Sequence, residues 1–428
     1  MLAIHMIGMG DIQDILILLS FLLEVVVLFY LEYKAWKTLY TPLIFLMLPY
    51  TVVLLISIAI SGNFGFVVFY YPSIFLWSAG LLVFALPSFV LAYALQKSNI
   101  PLNSNVKETT MPPLVVIVAI VTILLFMWRF KSMSGGVAAI GTHDFGNDFS
   151  GRGFWGHLRQ MSLPILIMAI YFVDRTKKWL WLIVIPLIVV ALLYQVLGWV
   201  IIPVLAGISL RLYMGKTKLK ISLLLYVVLF AAVVFLASYI MALVIAEEDG
   251  ELNEEVLSFI FRNFVHYLTS GTLGLSVDME RGFPDAGEFD LLIAQVINIG
   301  RMFTGGSEML SVINPLFYNT GVNWTNVRTI FGTIFLNSNG LVFVIFVLFL
   351  STSVYLLKLA TIRYNNIFVY VAYFFECGLL FMGWFDTYFS SLSSLEIPAM
   401  SLVLLLLCKM CSPKQPIKTI SKNATEKI

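Results

Sequence analysis

Residues 221–246 read ISLLLYVVLFAAVVFLASYIMALVIA, and no charged side chain interrupts these 26 residues. An α-helix of that length extends about 39 Å, which exceeds the roughly 30 Å hydrocarbon core of a bilayer. Lipid offers no partner to backbone amides and carbonyls, so a spanning segment must satisfy them internally. The stretch therefore predicts a membrane-spanning helix.

Ten further apolar segments repeat this pattern, some of them shorter. The eleven predicted spans cover residues 12–31, 42–61, 72–96, 112–128, 160–173, 179–196, 199–213, 221–246, 340–357, 366–385 and 395–408. The sixth and seventh are interpreted as two short segments that meet at Gly198, with one long helix as the alternative. The predicted fold class is an all-α polytopic integral membrane protein.

The composition agrees with that class. Of 428 residues, 60% are hydrophobic and only 12% are charged, about half the share in an ordinary soluble domain. The mean hydropathy is +0.95. These values exclude a soluble enzyme, a disordered chain and a nucleic-acid-binding protein. The net charge of +2 says nothing about partners.

The basic residues predict the orientation. When alternate loops are assigned to the cytoplasm, they hold eighteen of the 26 lysines and arginines. Cytoplasmic loops carry such an excess in membrane proteins. We therefore expect the N-terminus on the outer side of the membrane and the C-terminus in the cytoplasm.

The remaining basic residues lie in the predicted outer loops, and seven of these eight are arginines. Arginine is suited to bidentate binding of phosphate or carboxylate, whereas lysine is suited to anchoring at anionic lipid. This difference indicates anion binding on the outer side. The alternative is that these arginines pair with outer carboxylates.

Two of the outer loops are long, and they set the predicted domain organisation. Residues 1–246 hold eight spans and a glycine-rich outer loop at 129–159, and residues 340–408 hold the last three spans. Between them, 247–339 forms a large periplasmic loop with helical segments at 255–270 and 289–303. A basic cytoplasmic tail covers 409–428.

Several residues in these loops are candidates for chemistry. His266 follows Arg262 by four residues, which places both on one face of a helix, where they could hold a phosphate beside a general base; the alternative is a structural role for the pair. Arg152 lies in a glycine-rich SGRG segment, where backbone amides and a guanidinium together suit an anion. Arg328 is expected at the membrane surface, near aromatic side chains that could stack on sugar rings or form an interfacial belt.

Other site classes find little support. The sequence contains no GxGxxG, P-loop, HExxH or GxSxG motif. His143 and Asp144 have no converging ligands in the sequence, so no metal and no cofactor are predicted. The predicted spans hold few ionisable residues, namely Glu24, Glu376 and Asp386, the last near the outer end of its span. For Glu24 and Glu376, helix–helix hydrogen bonding is favoured over transport.

The arrangement resembles the Wzy-type polymerases, which join O-antigen or capsule repeat units at the outer side of the bacterial inner membrane. Three features carry the resemblance: the loop GTHDFGNDFSGRG before a short fifth span, the short pair at 179–213, and a long outer loop. That loop contains HYLTSGTLG and ends with NVRTIFGTIFLNSNG. In the family, this loop ends with a motif similar to Asp-Phe-Gly, whereas the corresponding residues here are Asn337-Ser338-Asn339-Gly340, which include no aspartate. The turn LGWV between the two short segments at 179–213 also lacks the basic residue expected there.

The resemblance implies a GT-C-like architecture and a metal-independent glycosyltransferase acting on undecaprenyl-pyrophosphate-linked oligosaccharides. Membrane lipid and a chain-length regulator are the other partners that it implies; no nucleic acid is expected. The pyrophosphate is then assigned to four arginines, and catalysis to His266, followed by Asp278 and Asp148. The arginines are Arg152, Arg262, Arg281 and Arg328, and the sugar- or lipid-binding candidates are Tyr267, Tyr318, Asn323, Trp324, Asn326 and Thr329.

Two alternatives remain open at this stage. An O-antigen ligase would use similar donor chemistry with another acceptor. A lipid-linked oligosaccharide flippase could share the topology, but we would expect short loops and charges that line a cavity within the spans.

Overall fold

The computed structural model of the chain describes residues 9–97, 110–133, 140, 145–151, 153–194, 196–244, 254–283, 287–304 and 309–411. Arg152 and residues 412–428 of the predicted tail at 409–428 lie outside these residues.

Most of the described residues are helical. The α-helices are α1 (Met9–Trp36), α2 (Pro42–Ile60), α3 (Ile74–Lys97), α4 (Pro113–Ser132), α5 (Gly153–Phe172), α6 (Trp181–Leu193), α7 (Gly198–Tyr213), α8 (Ile221–Val244), α9 (Glu254–Glu280), α10 (Phe289–Leu292), α11 (Ala294–Thr304), α12 (Thr329–Leu336), α13 (Gly340–Tyr364), α14 (Ile367–Phe381) and α15 (Ser393–Cys411). Two short antiparallel strands, β1 (Tyr318–Asn319) and β2 (Trp324–Thr325), pair as a hairpin.

Seven helical segments of the described residues are long and apolar enough to cross a membrane. They are Ile12–Trp36, Pro42–Ile60, Tyr71–Lys97, Pro113–Ser132, Gly340–Tyr364, Ile367–Trp384 and Ser393–Cys411. The protein is thus an all-α, multi-pass membrane protein. The number of eleven crossings stays a prediction, and it requires α5, α8 and the shorter helices α6 and α7 to cross as well.

The segment 179–213 forms two separate helices, α6 and α7, as predicted, and α7 begins at Gly198. Other boundaries differ from those expected. Helix α9 continues ten residues beyond the predicted end at 270, and α1 continues five residues beyond 31. The longer α1 carries Glu32 into the protein interior, where it is fully buried, so the predicted set of ionisable residues within the spans missed one carboxylate.

The loops contact one another in two groups, one at each end of the helical bundle. At what we call the loop-rich end, Val67 donates its backbone N–H to the Thr320 carbonyl, and Tyr388 packs on Gly198. At the opposite, lysine-rich end, Arg211 donates to the carbonyl oxygens of Ile170 and Tyr171. Alternation of eleven spans would separate the loops into the same two groups.

A polar network between α1, α3 and α13 lies towards the lysine-rich end. Glu32 accepts hydrogen bonds from Tyr355 at 2.5 Å and from Ser88 at 2.6 Å. Lys358, also buried, donates to the Tyr40 carbonyl at 3.0 Å and lies over the Trp36 ring. Buried polar groups in apolar surroundings are costly unless they are paired, and here each charged group has protein partners.

The loop-rich end depends on small residues along α9. A Cβ atom at Gly271 would overlap the backbone carbonyl oxygens of Trp384 and Phe385, and one at Gly274 would overlap the Tyr318 hydroxyl. These glycines allow the segment after α14 and the hairpin to approach α9 at backbone distance. The interior of α9 is correspondingly rich in buried small side chains, including Thr269, Ser270, Thr272 and Ser276.

We predict that Gly271→Ala destabilises the protein although alanine is the better helix former. In an open helix the exchange favours folding by about 1 kcal/mol, but here the methyl group meets backbone atoms that cannot rotate away, and overpacking typically costs about 1–3 kcal/mol. Thermal unfolding in detergent measures the difference. Gly300→Ala in α11 is the control, because nothing lies within 4 Å of its added Cβ. Equal stability of the two variants would contradict the close approach at Gly271.

Candidate functional site

The candidate site lies at the loop-rich end, where α9, the β1–β2 hairpin and the segment 385–392 meet. His266 on α9 is hydrogen bonded through Nδ1 to the Thr320 hydroxyl at 2.9 Å. Asn263, one turn earlier, accepts from the Asn323 side-chain amide at 2.9 Å. The Thr320 carbonyl in turn accepts from Val67. Helix α9 and the loop after α2 therefore hold the hairpin between them.

His266 and Arg262 occupy different environments despite their shared face. Burial lowers the pKa of His266 below its ordinary value, against the opposing effect of a hydrogen bond with the Trp324 backbone. The ring is thus neutral and is already engaged by the hairpin. Arg262 is exposed, and its Nη2 atom lies 3.3 Å from the position of a Cβ on Gly65. Of these two residues, only Arg262 presents a positive charge at the protein surface, where a ligand can reach it.

Arg328 and Asp278 form a buried ion pair through Nε and Oδ2. The Arg328 side chain is 2% exposed, and its Nη1 atom donates to the carbonyl oxygens of Leu316 and Asn326 at 3.0 and 3.1 Å. The guanidinium also lies over the Tyr318 ring, 4.7 Å from its centroid. These contacts join α9 to the segment before α12, so two predicted site residues connect parts of the fold.

Thr329, the next residue, has an unusual backbone. Its φ of +66° is in the left-handed region, which β-branched residues seldom adopt. Two hydrogen bonds hold this conformation, one from the backbone and one to the side chain. The Thr329 N–H donates to the Phe385 carbonyl, and the Thr329 hydroxyl accepts from the Trp77 indole at 3.0 Å. Strained residues of this kind concentrate at functional sites.

Asp386 is the carboxylate at the centre of this region. Its Oδ1 atom accepts from the Thr333 hydroxyl and from the Thr387 N–H, so the hydrogen bonds from these neighbours leave Oδ2 for another partner. Burial raises the pKa of Asp386 to about 6, although these bonds and the nearby Arg328 oppose the shift. The side chain nevertheless remains partly accessible. A carboxylate with such a pKa can exchange protons near neutral pH.

A second polar group surrounds the beginning of α5. Arg159 is 4% exposed and its guanidinium carbon lies 3.4 Å from the centroid of the Tyr194 ring. Its neighbour Gln160 donates to Ser393 at the start of α15. One turn of α15 further on, Glu396 lies 2.5 Å from the Nδ1 atom of His157. The segment 385–396 therefore borders both polar groups.

The remaining predicted site residues are dispersed. Arg281 is exposed beyond the end of α9, and Trp324 is exposed on the hairpin. Tyr267 packs on Phe385 with ring centroids 4.5 Å apart, and the Asn326 side chain donates to the Asn314 carbonyl. Asp148 lies in a π-helical turn, Asn147–Gly151, and its carbonyl accepts from Arg129 on α4. The assigned roles of all of these residues stay predictions.

Sequence reasoning assigned no site role to Asp386, Tyr388, Arg159 or Glu396. In the sequence, Asp386 is only an ionisable residue near the outer end of a span, and Arg159 is one of the seven arginines in the predicted outer loops. Both adjoin apolar helices in the sequence, at the edge of spans predicted at 366–385 and 160–173. Charge at a span boundary is the signal that could have identified them.

Comparison with known proteins gives a family but no activity. No curated protein and no solved structure matches the chain. One family model matches residues 65–414, which are most of the chain and include every element of the candidate site. The protein belongs to the family described as "Family of unknown function (DUF6337)".

Proposed function

We propose that the protein is a membrane glycosyltransferase that joins oligosaccharide units carried on polyprenyl pyrophosphate, at the outer face of the bacterial inner membrane. One observation carries the proposal. Asp386, partly accessible and with a pKa of about 6, lies at the membrane-proximal centre of the loop-rich end, between α9 and α12.

The location favours substrates that are themselves anchored in the bilayer. Asp386 follows the end of the apolar segment Ile367–Trp384 by two residues, so it lies close to the membrane surface. A lipid-linked sugar presents its first residues at that depth. The sequence offers no phosphate-binding loop for a nucleotide sugar, which also favours a lipid-linked donor.

The reaction needs one proton acceptor and one stabilised leaving group. The acceptor hydroxyl oxygen forms a bond to the anomeric carbon of the donor, and the bond from that carbon to the pyrophosphate oxygen breaks. The hydroxyl proton passes to Asp386 Oδ2, and the pyrophosphate leaves with the bonding electrons. We place the base at Asp386 because His266 is engaged by Thr320 and Asp278 by Arg328.

The leaving group needs positive charge that is free to bind it. Exposed Arg262 on α9 and exposed Arg281, just beyond the end of α9, meet that need, because arginine binds phosphate oxygens in a bidentate manner. Arg328 acts indirectly in this proposal: it holds Asp278 and lies close enough to Asp386 to favour the ionised carboxylate. Exposed aromatics such as Trp324 can stack on sugar rings.

The direct test is turnover in liposomes with a defined repeat unit on polyprenyl pyrophosphate. We expect oligosaccharides of two or more units on the lipid, with release of polyprenyl pyrophosphate. Transfer only to a lipid A-core acceptor would identify a ligase instead. Absence of transfer to either acceptor, with movement of the lipid between leaflets, would replace the proposal by a flippase.

The proposed orientation can be measured separately. Ser311 is exposed at the loop-rich end and Lys218 at the lysine-rich end. In a background without native cysteines, Ser311→Cys should react with a membrane-impermeant maleimide in intact spheroplasts. Lys218→Cys should react only after the membrane is permeabilised. The reverse labelling pattern would place the candidate site in the cytoplasm.

Asp386→Asn should lower the turnover rate by about 10²–10⁴-fold with an unchanged protein level, because a general base contributes that much. The base must be ionised, so the rate of the unmodified protein should rise with pH and reach half its maximum near pH 6. His266→Gln is the matched control and should stay within about tenfold of the unmodified protein. A 10²-fold loss in the glutamine variant, with a full rate for Asp386→Asn, would return the base to His266.

The two classes of arginine should separate in mutagenesis. Arg281→Ala removes an exposed cation, so the protein level should be normal while turnover falls by roughly 10–100-fold, as expected for loss of a hydrogen bond to a charged group. Arg328→Ala leaves Asp278 buried without its partner, which costs about 3–5 kcal/mol. Immunoblots of membranes and thermal unfolding should detect that loss. A stable but inactive Arg328→Ala variant would restore Arg328 as a pyrophosphate ligand.

A further inference from the structure

Arg159 is a buried cation whose hydrogen-bonding capacity is largely unused. Its side chain is 4% exposed, yet its Nε and Nη1 atoms have no hydrogen-bond partner among the residues that the structure describes. The side-chain amide oxygen of the neighbouring Gln160 and the fully buried Ser150 hydroxyl also have no hydrogen-bond partner among the described residues. Three unsatisfied polar groups therefore occur close together in the sequence, at the loop-rich end.

The contacts that Arg159 does make do not neutralise it. The Tyr194 ring, whose centroid lies 3.4 Å from the guanidinium carbon, supplies a cation–π interaction of about 2 kcal/mol but no opposite charge. Glu396, the carboxylate that acts on Arg159 electrostatically, lies 2.5 Å from His157 and is engaged there. A buried, unpaired charge costs several kcal/mol.

Two other arginines, one buried and one half-buried, show what is unusual about Arg159. Arg328 has Asp278 and two carbonyl oxygens as acceptors. Arg211, at the opposite end of the bundle, donates to three carbonyl oxygens and to Thr217. Both are satisfied by the protein itself. Arg159 instead has two nitrogen atoms, Nε and Nη1, that lack an acceptor among the residues the structure describes.

We infer that Arg159 is the recognition residue of an anion site that binds a phosphate-class oxyanion. Nε and Nη1 lie on different sides of the guanidinium and both lack an acceptor among the described residues, and charge-assisted hydrogen bonds from arginine to phosphate oxygens are strong. Tyr194 stacks on the face of the guanidinium and fixes its plane. Close packing of Gly146 against the Tyr194 carbonyl keeps the segment 145–151 beside this site.

The oxyanion has two sources with the same chemistry: a lipid phosphate in the outer leaflet or a free phosphate. The site does not depend on the proposed glycosyl transfer, because its occupancy can be measured without turnover. If transfer fails while binding persists, only the proposed function is overturned.

The test combines ligand binding with the stability of the ligand-free protein. Purified protein is titrated with inorganic pyrophosphate in detergent, and with polyprenyl phosphate in lipid nanodiscs, and thermal unfolding is recorded. We expect at least one of the two probes to raise the unfolding temperature. Arg159→Gln should raise the apparent Kd at least about tenfold and should leave the ligand-free protein as stable as the unmodified one, or more stable, because an uncompensated charge is removed. Arg159→Lys should bind with intermediate affinity.

Arg211→Gln is the matched control. It should destabilise the ligand-free protein, because carbonyl oxygens lose their donor, and it should keep the response to phosphate. A response to pyrophosphate identifies a free anion as sufficient, whereas a response to polyprenyl phosphate alone identifies the lipid source. The inference is overturned if neither probe stabilises the unmodified protein, if Arg159→Gln keeps the full response, or if Arg159→Gln and Arg159→Met both lose stability as Arg211→Gln does.

Discussion

The close approach of backbone to α9 is the constraint on which the loop-rich end depends. Gly271 admits the carbonyl groups of residues 384 and 385, and Gly274 admits the Tyr318 side chain. Because the segment after α14 lies against α9, the Phe385 carbonyl is in place to accept from Thr329 and to hold its left-handed backbone. Asp386 is the next residue along. A side chain at either glycine would move the hairpin and the carboxylate together.

Three of the buried charged residues, Glu32, Arg328 and Arg159, have different surroundings. Glu32 is held in a network of hydroxyl groups with Lys358 nearby. Arg328 is paired with Asp278 and with backbone carbonyls, and it serves to fasten the segment before α12 to α9. Arg159 is stacked on an aromatic ring, and its Nε and Nη1 atoms lack acceptors among the described residues. The first two arrangements are complete within the protein, whereas we propose that an oxyanion completes the third.

The proposed chemistry places different tasks on different elements of the same end. Helix α9 and the turn after it present the exposed Arg262 and Arg281 for the leaving group, and the segment after α14 presents Asp386. The residues 385–396 also reach the beginning of α5, where Gln160 meets Ser393 and Arg159 lies one residue away. In this proposal, one phosphate-bearing lipid binds on each side of this short segment. The buried tyrosine Tyr388, which contacts both Gly198 and Tyr267, connects the two sides.

The sequence by itself determined that this is an all-α membrane protein, because long apolar runs in a chain with few charges have no other stable solution in lipid. It also located the helical hairpin at 179–213 and the spacing of Arg262 and His266, since these follow from local periodicity. The tertiary structure decided which polar residues are engaged: His266 by Thr320, and Asp278 by Arg328 across 50 residues of chain. It also decided which are left available, such as Asp386 and Arg159. Residue type and spacing report what a side chain can bind, but whether a partner within the fold has already taken it depends on long-range contacts that local sequence does not encode.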